Sequence, residues 1–237
     1  MYVITTTVIG MVGIIIILII SWLLLWILER KNLNVLGLVP TKNRLGNLCV
    51  GFFMAGLLCA VYHYIKVAAV HNFWMLNPKL SGANLINSTW WIIKSVLFEE
   101  LLFRGALLYI MIKKLGSRWG CLLSAGAFGV YHWFSYGLFG NPIQMLTILL
   151  MTGLFGWVLA KAYDVTKSLY LPIAFHLGWN VVNILLFSNG PLGAQLLVRA
   201  NDNQAQGLVS LLIFLFQMLA LPIFGYLYIR KYGHTWS

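Results

Sequence analysis

Long apolar runs alternate with short polar clusters along this chain. Seven runs stand out, at roughly 4–28, 46–70, 89–112, 119–137, 142–160, 168–188 and 207–229. About twenty consecutive apolar residues cross a bilayer's hydrocarbon core as a helix. Barrel strands would be about half as long and would alternate in polarity. The pattern therefore predicts an all-α, polytopic transmembrane bundle of about seven to eight spans, forming one membrane domain over residues 1–237. The first run is too long for a signal-peptide core and lacks a basic leader, so it is read as a retained helix. No internal repeat is evident. The connections run under about twenty residues, too short to fold alone. Residues 29–45, with Val39-Pro40, form a polar and basic stretch expected at the membrane interface.

Composition agrees with this picture. Of 237 residues, 61% are hydrophobic and 9% charged, whereas a soluble domain is nearer half apolar and a quarter charged. Disorder is excluded on the same ground. The net charge of +11 does not point to nucleic acid, because the basic residues sit in short clusters between apolar runs. Arg30, Lys31, Lys42 and Arg44, then Lys113, Lys114 and Arg118, then Lys161 and Lys167, then Arg230 and Lys231 fall in alternate connections and the C-terminal tail. The intervening connections hold only Lys79 and Arg199. The positive-inside bias then predicts a multi-pass cell-membrane protein with its N-terminus outside and its C-terminus in the cytoplasm. Lys66, Lys94 and Arg104 lie inside the spans. Cys49, Cys59 and Cys121 lack a paired spacing and are expected as buried small hydrophobes. Asn87-Ser88-Thr89 fits a glycosylation sequon beside a span.

Acidic residues number only five. Glu29, Asp164 and Asp202 are placed in loops or at span ends, but Glu99 and Glu100 are adjacent within the third run and Arg104 follows them. An ionisable group at mid-bilayer costs at least about 2.5–3.5 kcal/mol on insertion scales, so these three must face protein or water. Glu100 and Arg104, at i and i+4, share a helix face and explain each other as an ion pair. Glu99 is turned about 100° away and has no such explanation. His132 lies near the end of the fourth run, and His176 and Asn180 share one face of the sixth. Counted from the nearest basic boundary along straight helices, Glu99, His132 and Asn180 lie at similar depths of roughly 20 Å, with His176 one turn nearer. His63 stands in the second run without a polar companion, and His71 and His234 fall in loop and tail.

A carboxylate in an apolar cavity can act as a general base toward water, and donors sharing one face can hold an oxyanion. Glu99, His132, His176 and Asn180 thus hold the parts for amide hydrolysis by activated water. Ser124 and Cys121 are distant in sequence from His132 and would need a further partner to form a triad. The motifs Glu99-Glu100-x-x-x-Arg104, Phe128-x-x-x-His132 and His176-x-x-x-Asn180, in this order, resemble those of the CAAX-protease and bacteriocin-processing family of intramembrane glutamic endopeptidases, whose eukaryotic relative is the Ras-converting CAAX prenyl protease. The resemblance covers about residues 89–188, and no motif position departs from the family pattern. It implies a glutamate-dependent intramembrane peptidase. Glu99 would be the water-activating base, His132 its partner, His176 and Asn180 the oxyanion site, and Glu100 and Arg104 supporting residues. The implied partners are the bilayer and a peptide or protein substrate, lipidated or otherwise membrane-associated, in bacteriocin immunity or peptide-signal maturation. No cofactor is implied. Two histidines and a glutamate match zinc's ligand types, but no His-Glu-x-x-His helix is present and Asn180 is a poor ligand, so no metal is expected. The alternatives are a proton-coupled transporter and a non-catalytic membrane binder such as an immunity protein. The transporter reading lacks the repeats expected of it.

Overall fold

The computed structural model describes residues 2–232, with side chains from Met11 onward; His234 lies outside the described residues. Seven α-helices are described: α1 (Tyr2–Glu29), α2 (Lys42–Ala68), α3 (Gly82–Arg104), α4 (Ala106–Ser135), α5 (Pro142–Thr166), α6 (Tyr170–Asn180) and α7 (Gly207–Tyr232). A short 3₁₀ turn, Leu33–Leu36, follows α1, and α6 continues as a π-helical segment, Val181–Leu186. Two short strands, β1 (Trp74–Leu76) and β2 (Leu197–Arg199), pair antiparallel with Met75 opposite Val198. The protein is therefore nearly all-α rather than wholly so. Four helices are individually long and apolar enough to cross a membrane, at Met11–Glu29, Lys42–Ala68, Pro142–Thr166 and Gly207–Tyr232.

The helix ends follow local chemistry. Thr41 caps α2 by accepting from the Arg44 amide, and Asn141 caps α5 by accepting from the Gln144 amide. Pro142, at the start of α5, lacks the amide hydrogen that would go unpaired there. Large apolar side chains face outward along the helices; Phe53 and Leu57 on α2 are 71% and 66% exposed. Without water to satisfy, such a surface suits acyl chains.

The third predicted run is corrected. It is not one helix over 89–112 but breaks at Gly105, where φ is −77° and ψ is −136°. A Cβ there would lie 2.1 Å from the Leu101 carbonyl oxygen, so only glycine permits the bend. A second break falls inside α4 at Gly116 (φ 80°, ψ 163°), a region essentially restricted to glycine. Glu99 and Glu100 therefore sit near the C-terminal end of α3, not mid-helix, and a depth counted along a straight helix from Lys113 does not apply.

Small residues bring α2 and α6 together. A Cβ on Gly178 would lie 2.2 Å from the Phe52 carbonyl oxygen, and one on Gly51 would lie 2.8 Å from the Ala174 Cβ. Close backbone approach of this kind drives helix association where lipid removes the hydrophobic contrast. Gly178 lies between His176 and Asn180, so this contact also fixes the functional face of α6. Gly178→Ala is expected to cost about 1–3 kcal/mol through overpacking, whereas Gly46→Ala, with open space around its Cβ, serves as a neutral control. Thermal unfolding of both variants in detergent checks this.

Ion pairs tie the helix ends on the basic side. Glu29 pairs with Lys113 and with Lys114, and Asp164 pairs with Lys161 and Lys167 and accepts from Ser117. The segment after α1 is partly enclosed rather than merely interfacial: Leu36 is fully buried, and Val35 and Gly37 accept from Tyr163 and Ser168. Cys59 and Cys121 are buried, but Cys49 is exposed on the outer face of α2, which corrects the expectation for it. In the sequon, the Ser88 hydroxyl is buried and donates to Gln195 at 2.8 Å.

Candidate active site

The break at Gly105 leaves Glu99, Glu100 and Arg104 on the last turns of α3, facing α4, α5 and α6. Glu100 and Arg104 are both fully buried. Arg104 Nη1 donates to Glu100 Oε1 at 3.1 Å, and Nη2 donates to the Gly156 carbonyl at 3.2 Å. The guanidinium also stacks 4.2 Å from the Phe128 ring centroid. Gly156 leaves room for this arrangement, since a Cβ there would meet Arg104 Nη2 and Phe128 Cδ1 at 2.9 Å. Glu100 Oε1 takes a second bond, from His176 Nδ1 at 2.7 Å. One carboxylate thus ties α3 to α6 while its arginine ties α3 to α5.

Glu99 is placed differently. Its side chain keeps 14% of its surface exposed and lines a cavity of about 670 Å³ with His132, His176 and Asn180. The Ser95 hydroxyl donates to Glu99 Oε1 at 3.3 Å. Glu99 Oε2 lies 3.8 Å from His176 Nε2, too far for a direct hydrogen bond. All four residues singled out as catalytic candidates therefore border one space, and the two supporting candidates are packed behind it.

The two imidazoles differ in their anchoring. His132 Nδ1 bonds the Phe128 carbonyl at 2.8 Å. A carbonyl only accepts, so Nδ1 carries that proton. In the neutral ring this leaves Nε2 with a free lone pair. His176 has Nδ1 held by Glu100, which leaves Nε2 on the Glu99 side. Asn180 lines the cavity, and its side chain makes no hydrogen bond to protein among the described residues. The aromatic side chains of Phe128, Tyr131, Tyr136, Phe155 and Trp179 supply the cavity's apolar walls.

Several neighbours were missed by sequence reasoning. His63 is not without a companion: it is fully buried, bonds Asn183 Oδ1 through Nε2 at 2.9 Å and stacks on Phe187. Asn183 also donates to the Asn189 carbonyl, and both asparagines line the cavity. Asn183 falls three residues after Asn180, a spacing that could have flagged it. Gln217 is a lone amide in the middle of α7, and it too lines the cavity. Ser124, in contrast, is buried and donates to the Phe103 carbonyl at 2.8 Å, which occupies it structurally. No group of three or more His, Cys, Asp or Glu side chains among the described residues is placed to hold a metal ion.

Comparison with known proteins adds one finding. Residues 81–182 match the family model described as type II CAAX prenyl endopeptidase Rce1-like. The match spans α3 to the start of the π-helical segment and contains Glu99, Glu100, Arg104, His132, His176 and Asn180. No curated protein and no solved structure matches the chain.

Proposed function

From the premise that residues 81–182 carry the domain of the Rce1-like family, a family of membrane proteases, we propose that this protein is an intramembrane endopeptidase that hydrolyses a peptide bond with water activated by Glu99. The observation that carries the reading is the division of labour between adjacent carboxylates. Glu100 is enclosed and bound by Arg104 and His176, whereas Glu99 borders an open cavity shared with His132 and Asn180.

In the proposed reaction Glu99 takes a proton from water as the oxygen adds to the peptide carbonyl carbon. His132 Nε2, bare in its neutral form, accepts the second hydrogen of that water. Negative charge developing on the carbonyl oxygen is met by His176 Nε2–H and the Asn180 amide. For this His176 carries both protons, and the charges of Glu99, Glu100, Arg104 and His176 then cancel. Glu99 returns its proton to the leaving amine, His132 passes on the water's second proton, and the products are a carboxylate and a protonated amine. Oxyanion donors of this kind are typically worth about 2.7–4 kcal/mol each when removed.

The substrate would be a peptide or protein at the membrane, lipidated or otherwise anchored, in bacteriocin immunity or peptide-signal maturation. The bundle would cross the membrane seven times. With the basic end in the cytoplasm, the cavity side lined by Asn189, Gly190 and Pro191 would face outward.

Peptide mass mapping of lipidated and leader-bearing candidates incubated with the purified protein tests this reading. Discrete fragments are expected. Ion flux in liposomes lacking any cleavable peptide would favour a transporter. Tight binding without fragments, unaffected by Glu99→Gln, would favour a binder. Because Glu100 already occupies His176 Nδ1 and Asn180 is a poor ligand, chelators are expected to leave cleavage intact; loss of cleavage restored by zinc would overturn the metal-free step.

A further inference from the structure

The side-chain amides of Asn180, Asn183, Asn189 and Gln217 line the cavity. Asn183 and Asn189 pair with each other: Asn183 Nδ2 donates to the Asn189 carbonyl at 2.7 Å, and Asn189 Nδ2 donates to Asn183 Oδ1 at 3.0 Å. The aliphatic hydroxyls are occupied as well. Ser95 donates to Glu99, Ser135 to the His132 carbonyl and Thr152 to the Ile148 carbonyl. Like Asn180, Gln217 makes no side-chain hydrogen bond to protein among the described residues. Asn180 has a place in the proposed reaction. Gln217 has none, and it lies beyond residues 81–182, so the family match assigns it nothing.

An amide is costly at this position. Every other residue between Ser210 and Tyr226 is apolar, glycine or proline. Counted from Gly207, Gln217 lies roughly 15 Å along the axis of a helix long and apolar enough to cross a membrane. An amide at such a depth can serve to bond a neighbouring helix. This one instead borders the cavity, together with Met218 and Leu221 of the same helix. Packing alone would be served by another leucine or methionine.

A peptide held in the cavity brings the complementary need. Each of its residues carries an N–H and a C=O that must be paired away from water. The aromatic walls suit apolar side chains, and in the proposed reaction His176 and Asn180 meet only the scissile carbonyl. A primary amide presents two N–H donors and an accepting oxygen, the counterpart of one peptide group. The cavity, about 670 Å³, falls in the size range of pockets that enclose a small ligand, which leaves room for a short extended segment.

We propose that Gln217 binds the substrate's main chain beside the scissile bond, pairing with a peptide group that Glu99, His132, His176 and Asn180 leave free. This assignment rests on the peptidase reading of the cavity. Because Gln217 reads backbone rather than side chain, the site accepts apolar peptides of differing sequence.

The test uses the full chain in detergent carrying Glu99→Gln, so that binding is read without turnover. The probe is a short, labelled, palmitoylated peptide of alternating leucine and alanine, together with analogues in which single backbone N–H groups are replaced by ester oxygen. At one position the ester is expected to weaken binding roughly tenfold, the scale of a buried group left unpaired. Adding Gln217→Met, which keeps the side chain's length, should weaken the parent peptide by a similar factor and bind that ester no worse than the parent. Such non-additive losses mark a direct contact. The unfolding temperature should not fall. No binding of the parent peptide, unchanged affinity in the Met variant, or additive losses would overturn the proposal. So would a distinctly lower unfolding temperature, the sign of a packing role. Wild-type protein incubated with the parent peptide and with the mass-mapping candidates forms the second arm. Fragments combined with additive losses would keep the peptidase reading and defeat the contact. Non-additive losses with no fragments from any peptide would keep the contact and defeat the peptidase reading.

Discussion

Replacing Glu99 by Gln is expected to slow peptide cleavage by about 10²–10⁴-fold, the range associated with losing a general base. Glutamine keeps the shape of the side chain and can still accept from Ser95, which bonds Glu99 Oε1 at 3.3 Å. It cannot take a proton from water. The fold should not suffer, because Glu99 makes no other hydrogen bond among the described residues and borders the cavity rather than the packed core. Unfolding should therefore stay close to wild type. Cleavage rates and thermal unfolding, measured on one preparation, check both halves. A folded variant with wild-type rate would remove Glu99 from the chemistry.

The opposite profile is expected for Arg104→Met. Arg104 is fully buried and its guanidinium meets Glu100, the Gly156 carbonyl and the Phe128 ring together. Methionine leaves the Glu100 carboxylate with His176 as its only hydrogen-bond partner and removes the bond to the Gly156 carbonyl. Breaking one partner of a buried pair typically costs about 3–5 kcal/mol. Unfolding should therefore come at a distinctly lower temperature, with cleavage falling alongside the folded fraction. Glu100→Gln combined with Arg104→Met should recover part of the loss, since no uncompensated charge remains. Additive losses in the double variant would show that the pair does not act as a unit.

These contrasting roles also show which parts of the molecule are legible in a sequence. The helices are legible because apolar runs of span length leave no other way to pair backbone groups in lipid. The convergence of Glu99, His132, His176 and Asn180 is legible because polar side chains within apolar helices must face one another or a cavity. The bend at Gly105 is not. Gly105 interrupts apolar sequence without a proline, and its effect comes from a backbone approach so close that a Cβ would meet the Leu101 carbonyl. It places Glu99 at a helix end, where a count along a straight helix misjudges its depth. The break at Gly116, in contrast, falls in the basic connection between the third and fourth runs, where the sequence places one. The second layer is equally hidden. Nothing in the sequence says which nitrogen of His176 meets Glu100, or that His63 finds Asn183 120 positions away. The π-helical turn over Val181–Leu186, which follows Asn180 and carries Asn183 to the cavity, has no periodicity of its own to announce it. Gln217 and Asn183 were visible as isolated amides in apolar runs, and the rule applied to the glutamates would have found them.

The claim that water, rather than a protein side chain, attacks the peptide bond is open to one direct measurement. The protein is quenched during turnover in heavy-oxygen water, and the masses of the intact chain and of the new C-terminal product are recorded together. The account predicts an unmodified protein at every time point and one heavy oxygen in the new carboxylate. A protein heavier by the mass of the acyl fragment, with the adduct on a serine or cysteine, would contradict it.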